Sequence, residues 1–248
     1  MSARIDRLWP GPASDLDDER ILAEYAPPSS PWARFNFVES LDGAATHEGR
    51  SGGLGGDGDR RVFELMRRWA DVVLVGAGTI RAEGYGAMRF DDDVAAWRRA
   101  HGLPPQPTMA IVSGRLDLDP ASAVFAEATV RPVVFTLATA PADRRAALAE
   151  VADVRDAGDH VLDPTRVLGD LERRGLRTVH AEGGPTLFGS FVAAGALDEL
   201  CLTLAPRLEA GGAGRIATGV PAEPLGMRLA GILRSGDDEL LLRYHRAG

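Results

Sequence analysis

The segment His180-Ala181-Glu182-Gly183-Gly184-Pro185-Thr186-Leu187 joins two titratable side chains to a Gly-Gly turn and to a proline placed where a helix would begin. Read as a strand end running into a helix, it turns unpaired backbone N–H groups and the positive end of a helix dipole toward a ligand. That environment suits a phosphate or pyrophosphate. Glu182, at the strand tip, would project beside such a ligand. His-Ala-Glu also imitates half of a zinc-deaminase signature, but that chemistry needs a Pro-Cys-x-x-Cys partner. The chain has one cysteine, Cys201, so the zinc reading is excluded and no metal is expected. On this segment alone an ordinary helix entry stays open.

Three other segments carry polar groups at turns. Val75-Gly76-Ala77-Gly78-Thr79 leaves an apolar run, its glycines permit close approach of a ligand to the backbone, and Thr79 adds a hydroxyl. Arg81 occupies the place of a third glycine, so the Rossmann fingerprint is incomplete and a plain turn remains the alternative. The run Ser51 to Asp59 does contain G-x-G-x-x-G from Gly53 to Gly58, yet no strand feeds it, and a mobile loop at a pocket mouth is expected there. Asn36 to Gly43 reads as a strand breaking into a turn, with Asp42 either a local acceptor or a group presented to a crevice.

Composition narrows the chemistry. The 28 basic residues are all arginine, and the lack of lysine excludes a Walker A loop, a Schiff-base enzyme and a Tyr-x-x-x-Lys dehydrogenase. The formal charge of −8, with 6% aromatic residues and no basic block, argues against a nucleic-acid partner. Apolar runs are far shorter than the roughly 20 residues that span a bilayer, and residues 1–12 lack an apolar signal core, so no membrane association is expected. A single cysteine fits a reducing compartment, and the cytoplasm is the expected location.

These groups must be positioned by an α/β scaffold. From Arg34 onward short apolar runs alternate with amphipathic segments, the pattern of helices covering both faces of a mostly parallel sheet. Strands are expected at 34–39, 72–75, 108–112, 132–136 and 178–181. Val62, Phe63, Met66, Trp69 and Ala70 mark a core-facing helix with Asp57 or Asp59 as N-cap. Asp163-Pro164 opens another that stops at Gly175, and 184–194 repeats the pattern. Segments 228–233 and 239–244 face each other across Ser-Gly-Asp-Asp as a closing antiparallel hairpin, so the sheet is mixed. Residues 1–31, rich in Pro, Asp and Ser, are expected to form an N-terminal arm that decorates a single domain over 32–248, and 91–107 to be a surface insertion. If the first, second and fifth strands are parallel neighbours, Asp42, Gly76–Thr79 and Glu182–Gly184 meet in one crevice at their carboxyl ends.

In this order the segments resemble the reductase domain of the riboflavin-biosynthesis deaminase/reductase family, across residues 32–245. The matching pieces are Asn36–Gly43, Thr46, Ser51, Arg67–Asp71 with Val75–Thr79, Glu83–Arg89, Glu182–Leu187 and Leu197–Pro206. The resemblance implies a three-layer α/β/α fold similar to dihydrofolate reductase. It also implies NADPH-dependent reduction of 5-amino-6-(5-phosphoribosylamino)uracil to its ribitylamino product, and a homodimer. Carried over residue by residue, Thr46, Ser51, Gly76, Gly78, Thr79, Gly183, Gly184, Pro185, Thr186 and Leu187 would contact NADPH. Ser113 and Arg115 are assigned to the cofactor's 2′-phosphate, because a guanidinium suits that dianion. Asn36, Ser40, Arg67, Glu83 and Arg89 would bind the substrate, with Glu182 and Asp42 as catalytic carboxylates and Glu182 the better polar anchor or proton donor. The chain departs from the family pattern at Asn36 (commonly Lys), at Glu83-Gly-Tyr85 (commonly Asp-Asn-Pro) and in the glycine-rich 52–58 loop. A pterin or folate reductase on the same scaffold, and a non-catalytic nucleotide-binding protein, are the alternative readings.

Overall fold

The computed structural model describes residues 3–28, 30–219 and 223–248. In chain order the strands are β1 (Ile5–Trp9), β2 (Trp32–Ser40), β3 (Val72–Gly76), β4 (Thr108–Val112), β5 (Val133–Thr136), β6 (Asp153–Asp156), β7 (Thr178–Ala181), β8 (Glu199–Ala205), β9 (Met227–Ser235) and β10 (Leu240–Arg246). The helices are α1 (Asp18–Glu24), α2 (Asp57–Arg67), α3 (Ala77–Glu83), α4 (Asp92–Ala100), α5 (Ala123–Ala126), α6 (Ala142–Ala149), α7 (Pro164–Arg173) and α8 (Pro185–Ala193). All strands join one sheet in the order β1-β9-β10-β8-β2-β7-β3-β4-β5-β6. The run from β8 to β6 is parallel throughout. β10, β9 and β1 close the other end antiparallel.

The central strands explain the layering. β3 has no polar side chain and is buried at every position, as a strand covered on both faces must be. On one face Phe35, Leu74 and Phe135 pack under α7 and α8 through Val167, Leu171, Phe188 and Phe191. On the other, Val73, Val75 and Ile111 pack against Ile80, Val124 and Leu148 of α3, α5 and α6. The result is the three-layer α/β/α arrangement with a mixed sheet. α7 opens on the Asp163 cap, whose side chain accepts from Thr165 N at 2.9 Å, and the chain leaves it through Gly175 at φ +78°.

Three expectations about peripheral segments are corrected. Residues 5–25 do not decorate the core: β1 extends the sheet, and Ile5, Ile21, Leu22 and Tyr25 are buried against Val62, Leu65 and Met66 of α2. Their Pro- and Asp-rich surroundings hid a small apolar face. The 91–107 segment is likewise packed: Arg98 of α4 is fully buried and donates to Pro104 O and Arg68 O, both at 2.7 Å. Finally, the N-cap of α2 is Gly56, and Asp57 and Asp59 lie in the first turn, because the helix is capped from the distant β9–β10 turn.

Candidate active site

β7 lies between β2 and β3, so the three carboxyl ends expected to converge do so. β3 ends in Gly76 and leads straight into α3, and β7 ends at Ala181 and reaches α8 through Glu182-Gly183-Gly184, which brings two helix N-termini side by side. Gly76 N donates to Gly183 O at 3.1 Å and fixes the two turns against each other. Gly183 and Gly184 have φ of +112° and +100°, a region closed to most side chains. A Cβ on Gly184 would also come within 3.5 Å of Gly76 Cα and of Thr79 Oγ1. The glycines therefore permit both the backbone path and the close approach. A cavity of about 870 Å³ opens at this junction.

The cavity collects most of the residues expected at it. Gly76, Gly78 and Thr79 line it from the α3 side, and Gly183, Gly184, Pro185, Thr186 and Leu187 from the α8 side. Asn36, Thr46 and Ser51 contribute from β2 and the loop that follows it, and Arg67, Glu83, Arg89 and Glu182 complete the wall. Arg89 is exposed at the rim and makes no ion pair or side-chain hydrogen bond among the described residues, so its guanidinium is open to an anionic ligand. Glu83 is turned inward on the protein: its Oε1 accepts from Ser51 N at 2.8 Å and Ser51 Oγ at 2.9 Å, tying the 51–53 turn to the end of α3.

Glu182 is the most elaborately held group. Arg67 Nε donates to Oε1 at 2.5 Å and Nη2 to Oε2 at 2.6 Å, a bidentate fork, and the Tyr85 hydroxyl donates to Oε2 at 3.0 Å. Both carboxylate oxygens thus have donors although the side chain is buried. Burial works against the Arg67 cation, but its bond to Glu182 and that residue's charge outweigh the penalty and raise its pKa above the ordinary value. Burial, then the charge of Glu182, raises the Tyr85 phenol and keeps it a donor. The Arg67 guanidinium also lies 4.2 Å from the Phe63 ring centroid. His180, behind Glu182, is buried with its Nε2 3.6 Å from Glu182 Oε1. Burial, together with Arg34 and Arg67, holds its pKa well below the usual histidine range, so the ring is neutral.

Four expected residues lie outside the cavity wall. Asp42 accepts from the Ser40 hydroxyl and from the backbone of Glu209 at 3.1 Å and Ala210 at 2.7 Å. Those bonds hold its pKa down to about 2; in this arrangement Asp42 serves as the acceptor of the turn and Ser40 as one of its donors, and neither lines the cavity. Ser113 is buried with its amide on Phe135 O, Arg115 is exposed, and Gly114 between them is the residue that reaches the cavity. Conversely, Asp59, Phe63 and Tyr85 line the cavity and were not anticipated there. The 59–63–67 interval places the first two on the same face of α2 as Arg67, a signal the sequence did contain.

The glycine-rich 52–58 run offers no anion site. The first turn of α2 is already filled by carboxylates of the β9–β10 turn: Glu239 accepts from Gly56 N at 2.5 Å and Asp59 N at 3.0 Å, and Asp237 from Asp57 N at 3.1 Å. Among the described residues no helix is long and apolar enough to cross a membrane.

The mixed α/β sheet with its helices on both faces is the fold shared with pyrimidine reductase-like proteins. A pyrimidine reductase-like protein from Corynebacterium diphtheriae superposes with a TM-score of 0.80 at 26% identity, over 88% of this chain and 92% of that one. Residues 31–241 match the family model of the RibD C-terminal domain, and the chain belongs to that family. The 2,5-diamino-6-ribosylamino-4(3H)-pyrimidinone 5′-phosphate reductase of Archaeoglobus fulgidus is 27% identical over 177 residues, 71% of this chain and 80% of that protein. The riboflavin biosynthesis protein RibD of Bacillus amyloliquefaciens is 30% identical over 187 residues, 73% of this chain but 47% of that protein, so the chain spans about half of it.

Proposed function

We propose that the protein is an NADPH-dependent reductase of riboflavin biosynthesis that converts 5-amino-6-(5-phosphoribosylamino)uracil to its ribitylamino product. The observation that carries this reading is the convergence of the α3 and α8 N-termini on a cavity that also holds the Glu182–Arg67–Tyr85 constellation. Thr186 and Leu187 offer amides that have no backbone or side-chain acceptor among the described residues. With Gly76, Gly78, Thr79 and Gly183–Pro185 they would hold the pyrophosphate, as helix starts do. Thr46 and Ser51 would border the cofactor, and Arg115, exposed just beyond Gly114, would reach the 2′-phosphate, with Ser113 beneath it. The bound coenzyme supplies hydride; the protein's part is to place the sugar carbon and stabilise the charge that develops.

Arg89 suits the substrate phosphate, and Asn36 the pyrimidine. Glu182, with both oxygens already accepting hydrogen bonds, acts as a polar anchor whose charge orients Arg67 and Tyr85. The same reading makes the protein a cytoplasmic homodimer, which sedimentation of the purified chain measures. The decisive assay follows loss of NADPH absorbance with each of three substrates: the phosphoribosylamino uracil, the 2,5-diaminopyrimidinone named for the Archaeoglobus relative, and dihydrofolate. Turnover of the uracil above the other two supports the proposal. Preference for the diaminopyrimidinone moves the substrate one substituent at the pyrimidine C2, turnover of dihydrofolate alone overturns the riboflavin reading, and tight NADPH binding with no turnover favours a non-catalytic protein.

A further inference from the structure

α2 presents Asp59, Phe63 and Arg67 to the cavity at intervals of four residues. At one end Arg67 grips Glu182. Two turns back, about 12 Å along the helix at 1.5 Å per residue, the Asp59 carboxyl has a contrasting set of neighbours. The β9–β10 turn sets Glu239 against it, with Oε2 3.0 Å from Asp59's own backbone nitrogen, and places Asp237 beside it on the amide of Asp57. From β8 comes the hydroxyl of Thr203, which is buried. The nearby cation is Arg60 on its own helix, and that guanidinium is bonded to Asp57 at 2.6 Å. Among the described residues no guanidinium forks onto Asp59 as Arg67 does onto Glu182. Among the described residues no group of three or more His, Cys, Asp or Glu side chains is placed to hold a metal ion, so these carboxylates do not form a cation cage.

We propose that Asp59 is the proton donor of the reduction, an inference that rests on the reading of the chain as a phosphoribosylamino-pyrimidine reductase. In the step it serves, the bond from the sugar's C1′ to the ring oxygen breaks and both its electrons leave with the oxygen. That oxygen takes the proton of the Asp59 carboxyl. C1′ gains its new hydrogen as hydride from a reduced nicotinamide, and Asp59 is left as a carboxylate that solvent reprotonates through the cavity mouth. The two acids of the cavity thereby divide the work: both oxygens of Glu182 accept hydrogen bonds from Arg67 and Tyr85, whereas the Asp59 carboxyl sits among other carboxylates. Burial pushes the Asp59 pKa up to about 6; Glu239 and Asp237 add to the push, while the Thr203 hydroxyl and Arg60 act against it.

The test is Asp59→Asn, read in two ways. With the uracil substrate and NADPH, kcat is expected to fall about 100-fold or more, the usual worth of a general acid, while KM changes less than about threefold. Wild-type kcat is expected to decline as pH rises through about 6, where Asp59 loses its proton, and the variant to lack that decline. The second readout needs no substrate. A carboxyl whose folded pKa is raised contributes stability below its unfolded pKa near 4 and loses it as pH rises through about 6. The Tm of Asp59→Asn relative to wild type is therefore expected to climb over that interval.

Wild-type turnover with kcat of Asp59→Asn within twofold overturns the role of Asp59 and leaves the reductase reading intact. A flat Tm difference between pH 4 and 7 also overturns it. A wild type inert toward every pyrimidine substrate overturns the reductase reading and this inference together.

Discussion

The glycine-rich turns at the starts of α2 and α8 serve opposite ends. At the start of α2, glycines bring a protein carboxylate to the helix: a Cβ on Gly58, in the first turn, would lie 2.3 Å from Ser235 Cβ, so its absence admits the β9–β10 turn that delivers Glu239 and Asp237. Before α8, glycines let two strand–helix turns touch, and the amides of Thr186 and Leu187 face a cavity with no side-chain acceptor among the described residues. Both helix starts attract negative charge for the same dipolar reason. In one the anion is built into the fold, and in the other the place is open to a ligand. Glycine spacing licenses close approach; the neighbour that arrives decides whether a site results.

The largest effect is expected at the open turn. Glu182→Gln weakens the hold on Arg67 and should lower turnover about 100-fold, or about 2.7 kcal/mol in activation free energy, with coenzyme affinity changed only a few-fold by calorimetry. Unchanged turnover removes Glu182 from the chemistry. At the closed turn, Gly58→Ala should cost about 1–3 kcal/mol of stability through overpacking, seen as a lower denaturation midpoint, with coenzyme affinity of the folded protein preserved. A fully stable variant would show that the hairpin does not need the glycine.

Gly184→Ala sharpens the contrast, because it should cost about 1 kcal/mol of stability yet weaken NADPH binding about tenfold. The smallest change belongs to Asp42→Asn. Bonds from Ser40, Glu209 and Ala210 hold the Asp42 pKa down to about 2, so its stabilisation is present above the ordinary carboxylate range near 4 and lost as pH falls through about 2. The Tm difference from wild type should appear at pH 6 and vanish near pH 2, with turnover at neutral pH intact.

The parts of the architecture legible in the sequence were those set by local pattern. An all-apolar β3, the Asp163-Pro164 helix start and the Gly-Gly turn at 183–184 each state their structure within a few residues; the alternation of elements gave the parallel sheet, while the adjacency of β2, β7 and β3 entered only as a condition. The parts that were not legible depend on partners far along the chain. Gly56 caps α2 because Glu239, 183 residues away, supplies the acceptor. Asp42 was expected in the crevice because it follows a strand end, yet the loop at 209–210 captures it. The polar look of residues 5–25 concealed Ile5 and Tyr25, whose burial requires α2 and the distant β9. Asp59 looked like a cap until the helix phase put it on the same face as Arg67.

Backbone amide NMR during titration with NADPH measures the contrast most directly. The expected result is saturable shifts at Gly78, Thr79, Gly183, Thr186 and Leu187, with the amides of Gly56, Asp57 and Asp59 keeping the positions set by their carboxylate partners. Shifts concentrated at residues 52–59 with none at 183–187, or no shifts on a well-folded sample, would contradict it.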